Sequence, residues 1–193
     1  NNDNVTKKYK DAASFGVDEW KYTDLQTLKC KKLIKLFDAI SVREKSAIKL
    51  CEEYLDCKSD CVLDPTMLLD IDDYIKLVNL ENVSKSDGNL FTYILDKTDL
   101  KTSIIEEVAL KLNLKPFSVM PEKVNASTIN NIDSCVFPSP TKWLRAFMDA
   151  KFVVCDSFHG AVFSIIFNKP FIVIGNTRRG LTRFTSLLEV FSL

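Results

Sequence analysis

The stretch 151-KFVVCDSFHGAVFSIIFNKPFIVIG-175 decides how this chain folds. KFVVCD (151–156) and PFIVIG (170–175) read as buried strands, and SFHGAVFSIIF (157–167) between them reads as a helix. Continuous apolar strands separated by a helix imply a parallel sheet covered on both faces. Right-handed crossovers make such a sheet a doubly wound, Rossmann-like layer. The same stretch holds the only histidine of the chain, His159, followed directly by Gly160.

Working back toward the start, the alternation continues. TKWLRAFMDA (141–150) is a helix, preceded by a long polar connection over 121–140. LFTYILD (90–96) and KPFSVM (115–120) are strands around an amphipathic helix, 99–114, that Asp99 is expected to cap. ENVSKSDGN (81–89) is polar with an Asp-Gly turn signal, and it is the expected domain boundary. Before it, 25–37 and 70–80 read as helices, 38–44 as a strand, and 46–55 as a helix capped at Ser46. A further strand, 60–65, stops at Pro65. After 175, LTRFTSLLEVF (181–191) is a final helix.

Residues 90–193 thus read as one Rossmann-like domain. Residues 1–80 offer only two clear strands, a poor independent sheet. They are expected to be the C-terminal part of a first Rossmann-like domain, the chain being a fragment.

Composition narrows the function. In 193 residues, Lys+Arg and Asp+Glu both number 26, so no basic excess marks a nucleic-acid binder. No apolar run approaches the roughly 20 residues of a membrane helix. None of the six cysteines makes a CxxC pair, and they read as reduced packing thiols of a cytoplasmic protein, with no metal site expected.

Ligands of open parallel sheets bind beyond the carboxyl ends of the strands. That rule selects Asp156, Ser157, Phe158 and His159 after one strand, and Gly175 through Gly180, with Arg178 and Arg179, after the next. It also selects Arg43 after the ISV strand. Only five arginines occur, and four of them, Arg43, Arg178, Arg179 and Arg183, fall at strand ends or in the first turn of the next helix. Their planar forks suit carboxylate or phosphate. His159 stands in the first turn of its helix, where backbone N–H groups and the dipole favour an anion. Gly160 would admit a ligand close to the backbone. Plainer readings stand beside these. His159 suits a structural role, Gly160 tight helix–strand packing, Arg178 and Arg179 a solvated loop, and Arg43 a pair with Glu44 or Asp38.

Four blocks, AASFGVDEW (12–20), FDAISVREKSA (37–47), VLDPTMLL (62–69) and FVVCDSFHGAVFSIIFNKPFIVIGNTRRGLTRFTSLL (152–188), together resemble the polysaccharide pyruvyl transferase family. The resemblance implies a GT-B-like pair of Rossmann-like domains with the site in the cleft between them. It implies transfer of a pyruvyl group from phosphoenolpyruvate to two hydroxyls of a sugar, giving a pyruvate ketal on a surface polysaccharide or its lipid-linked precursor. It brings no cofactor and no metal. Membrane association, if any, would be peripheral and through the acceptor. The family's catalytic histidine falls on His159, its donor-contacting neighbour on Phe158 and its strand-end arginine on Arg43. Many members carry arginine two residues before the histidine, where this chain has Ser157. Arg178 or Arg179 is the expected replacement.

Donor chemistry needs a group able to give and take protons near neutrality, and His159 is the only imidazole. Two other functions remain open on the same residues: a sugar-nucleotide glycosyltransferase of GT-B fold, and a non-catalytic module binding glycan or protein.

Overall fold

The computed structural model describes residues 7–122, 132–175 and 180–193. Among these, seven strands and seven α-helices form two compact units. The first comprises Asn1–Leu68 with Asn176–Leu193, and the second Leu69–Gly175. Each is built on an all-parallel sheet.

The first sheet has the order β1(Tyr9–Ala13), β2(Ala39–Val42), β3(Asp60–Cys61). It has three strands, not the two that the apolar pattern suggests. β1 escapes that pattern because it is a polar edge strand: Tyr9, Lys10 and Asp11 are exposed and only Ala12 is buried. Its register slips between Lys10 and Ala13, and Ala12 takes φ 47°. Ser41 stitches the irregularity. Its hydroxyl donates to Asp11 Oδ1 (2.5 Å) and accepts the Ala12 N–H (2.8 Å).

α1(Asp24–Ile34) begins in a capping box between Thr23 and Gln26. α2(Lys45–Leu55) buries Ala47, Leu50, Cys51 and Leu55. Ala47, Cys51 and Leu55 pack with Val42 of β2, and Ala13, Trp20 and Ile34 close the cluster. α1 itself buries no residue, so the apolar spacing over 25–37 leaves Leu25 and Leu28 exposed. The N-cap of α2 is Glu44, not Ser46, and the Glu44 side chain caps nothing because it turns to another task described below.

The second sheet has the order β5(Pro116–Phe117), β4(Leu90–Tyr93), β6(Phe152–Cys155), β7(Phe171–Val173). Alternate residues explain how both faces are covered. Leu90 and Val154 point to one face, where Ile105, Val108 and Ala109 of α4(Asp99–Leu112) pack. Phe91 points to the other and meets Phe147 of α5(Pro140–Asp149) edge-on, with centroids 4.9 Å apart. Trp143 of α5 and Phe163 of α6(Phe158–Ile166) extend that aromatic layer, 4.7 Å apart. α4 is capped by Thr98, whose hydroxyl accepts the Lys101 N–H, rather than by Asp99.

The division differs from a boundary at 81–89. That segment lies inside the second unit. So does α3(Ile71–Leu80), because Tyr74 and Val78 are buried on that side, with Tyr74 edge-on to Phe163 at 5.1 Å. α7(Thr182–Phe191) belongs to the first unit. There Lys45 pairs with Glu189 at 2.9 Å, and the Lys45 N–H donates to Ser186 Oγ at 3.3 Å. Among the described residues, no helix is long and apolar enough to cross a membrane.

Candidate functional site

In the first unit, polar residues gather where three parallel strands end. Ser14, Phe15 and Gly16 follow β1, Arg43 and Glu44 follow β2, and Asp64 follows β3. Glu44 is fully buried. Its Oε1 accepts from Ser14 Oγ (3.0 Å), the Phe15 N–H (2.8 Å) and the Gly16 N–H (2.9 Å). The carboxylate is thus the anion around which the loop after β1 closes, and Gly16 with φ 71° lets the backbone turn there.

Arg43 is half-buried and forms an ion pair with Asp64 through Nη1 and Oδ2. Asp64 is buried, and its Oδ1 accepts from Thr66 Oγ1 (2.7 Å) and the Thr66 N–H (3.1 Å). That turn opens the 3-10 helix Pro65–Leu68. An aspartate before proline with threonine two residues on is a local turn signal. Its second duty, fixing the guanidinium of Arg43, is a tertiary one. Asp38 accepts the Lys8 N–H (2.7 Å), and Glu44 Oε1 holds the loop after β1.

In the second unit, the strand order places β5 on one side of β4 and β6 on the other. The direction of winding therefore reverses between β4 and β6, and such a switch point opens a crevice at the carboxyl ends of those strands. Asp156, Ser157, Phe158 and His159 stand there, straight after β6. Asp156 is fully buried and organises the end of the sheet. It accepts the Leu95 N–H (2.7 Å), the Asp96 N–H (3.1 Å) and Lys101 Nζ (2.5 Å). Lys101 also donates to the Asp96 carbonyl at 2.8 Å. The loop after β4 and the loop after β6 are thereby tied to one buried ion pair, which apolar periodicity does not reveal.

Ser157 is the N-cap of α6, extended at φ −116° and buried, with no side-chain capping bond. Phe158 is buried, and its ring lies edge-on to the imidazole of His159 at 5.5 Å. His159 itself is exposed, in the first turn of α6. Cys155, one strand residue earlier, is no nucleophile: burial pushes its thiol up to about 12.

Gly160 answers to packing. A Cβ there would lie 2.7 Å from Cys155 Cβ, 3.0 Å from its Sγ and 3.2 Å from Tyr93 Cδ1. The space that a ligand was expected to use is filled by the sheet. Gly160→Ala should cost about 1–3 kcal/mol of stability by overpacking, read from chemical denaturation. Adding Cys155→Ala should recover only the sulfur's share, because the closest contact is to Cβ. Arg178 and Arg179 lie outside the described residues. A cleft of about 620 Å³ elsewhere in the second unit, bordered by Lys85, Phe117, Ser118 and Lys142, includes none of the expected site residues.

Two parallel, helix-covered sheets with polar groups at their strand ends define a Rossmann-like α/β protein. The family model of polysaccharide pyruvyl transferase matches residues 12–178 of the 193, and the chain belongs to that family. Comparison with curated proteins found no match.

Proposed function

We propose that this chain transfers the pyruvyl group of phosphoenolpyruvate to two hydroxyls of a sugar, forming a pyruvate ketal on a polysaccharide or its precursor. The reading is supported above all by family membership over residues 12–178. It is also supported by an exposed imidazole in the first turn of the helix that follows β6.

In this reading His159 is the proton-transfer group. It delivers a proton to the methylene carbon of the donor, which becomes the methyl group. The neighbouring carbon gains oxocarbenium character and is attacked by one sugar hydroxyl. The bond to phosphate breaks, and the second hydroxyl closes the ring. Of the two hydroxyl protons, one balances that placed on the methyl carbon and the other leaves with phosphate. Arg43 anchors the donor's carboxylate or phosphate, its fork held in place by Asp64. The backbone at Ser157 and Phe158 contributes N–H groups of the helix start.

The test is incubation of the chain with phosphoenolpyruvate and a panel of hexosides and oligosaccharides. Phosphate release that depends on acceptor, with a product heavier by pyruvate less water, is the expected result. Binding of a nucleoside-diphosphate sugar with no binding of phosphoenolpyruvate overturns the proposal.

A further inference from the structure

Of α1, α2 and α7 in the first unit, only α1 buries no residue. It is held from one side. Thr27 Oγ1 accepts the Trp20 indole N–H at 2.8 Å, and Ile34, seven residues on, packs against the cluster of Val42, Ala47, Cys51 and Leu55. At 3.6 residues per turn, Leu25, Lys29 and Lys32 then stand on the opposite face, flanked by Leu28 and Leu33. Leu25 is 78 % exposed, Leu28 52 % and Leu33 49 %. Past the helix the chain turns on tightly, the Leu36 N–H donating to the Leu33 carbonyl and the Phe37 N–H to that of Ile34, at 3.1 Å each. Lys35, Leu36 and Phe37 are exposed there as well. The main chain of Lys8 bonds Asp38 twice, at 2.7 Å each, so the exposed Lys8 and Tyr9 border the same end.

The charge of this surface is one-sided. Residues 25–37 hold four lysines and no acid, in a chain whose charges balance at 26 of each sign. Lys31, on the attached side, is paired with Asp56 at 2.7 Å. Among the described residues, Lys29 and Lys32 form no ion pair. Leucines and unpaired lysines on one face select among partners. Lysine is depleted from protein–protein interfaces, where its ammonium would be desolvated. A second copy docking by the same face would set lysine against lysine. A membrane surface satisfies both residue types: leucines enter the acyl boundary, and the long lysine stems lift their ammonium groups to the level of the phosphates. Anionic headgroups then supply the charge that this face lacks.

We infer that α1 and the turn after it form a docking surface for an anionic lipid bilayer, with the helix lying in the plane of the interface. The attachment is the chain's own and does not pass through a bound acceptor. It stands whichever donor the site takes.

Co-sedimentation of the full chain with vesicles of phosphatidylcholine alone, and of phosphatidylcholine mixed with phosphatidylserine, tests this. Binding to the mixed vesicles that weakens with added salt, and little binding to phosphatidylcholine alone, are expected. Lys29→Gln with Lys32→Gln should weaken binding about thirtyfold, at roughly fivefold for each lysine near an anionic surface. Leu25→Gln with Leu28→Gln should also weaken it. Both pairs are exposed, so thermal unfolding should leave the midpoint of each variant near the parent's. No binding of the parent to mixed vesicles overturns the inference, as does equal binding to the two kinds of vesicle or parental binding by either variant. Should the leucine variant unfold, the lysine variant decides alone. A parent that ignores vesicles but dimerises in sedimentation velocity, and is monomeric as the leucine variant, assigns the face to a second copy and overturns the inference too.

Discussion

His159→Ala is expected to lower turnover by about 10²–10⁴-fold while leaving the fold intact. The size follows from the role, since a positioned acid–base group contributes on that scale. The specificity follows from the place. The imidazole is exposed at the start of α6, so truncation opens no cavity in the aromatic layer behind it. The thermal midpoint should therefore stay near the parent's, and donor affinity should change far less than turnover. Steady-state assay of phosphate release with a calorimetric donor titration separates the two quantities. Near-parental turnover in the variant would remove His159 from the chemistry.

The largest effect on stability is expected from Lys101→Met. Lys101 Nζ lies 2.5 Å from Asp156 Oδ2, and both groups are buried. Removing one member of a buried pair leaves the other charge uncompensated and costs about 3–5 kcal/mol. Here the orphan would be Asp156, which also holds the N–H groups of Leu95 and Asp96. The ends of β4 and β6 should loosen together. Adding Asp156→Asn to Lys101→Met should restore part of the loss, because the amide removes the charge yet still accepts a backbone N–H. Urea unfolding of the two single variants and the double variant measures the coupling. Strict additivity would show that the pair acts as two independent surface charges.

Much of the second unit is legible in local pattern. FVVC and FIV are apolar without interruption, and LFTY is broken only by Thr92, the pattern of strands in a parallel sheet covered by helices. The helix between FVVC and FIV then places His159 at a strand end without further information. The first unit is less legible. β1 carries no apolar run, because an edge strand exposes most of its side chains. α3 and α7 read as neighbours of whatever precedes them, yet each joins the other unit from the one its place along the chain suggests. Chain order does not say which core a helix will cover.

The same contrast runs through the site. The residue types, an imidazole and a few arginines at strand ends, are legible from composition and position. Their partners are not. Asp64 is 21 residues from Arg43, and Lys101 is 55 from Asp156. Sequence alone determined that this chain would build parallel, helix-covered layers, because periodic burial is written residue by residue. Only tertiary structure decided that Arg43 would be held by Asp64, that Glu44 would close the loop after β1, and that α7 would bring Glu189 to Lys45. Those contacts exist because folding brings strand ends and a distant helix together, and pairing of charges across such separations leaves no mark in the local pattern.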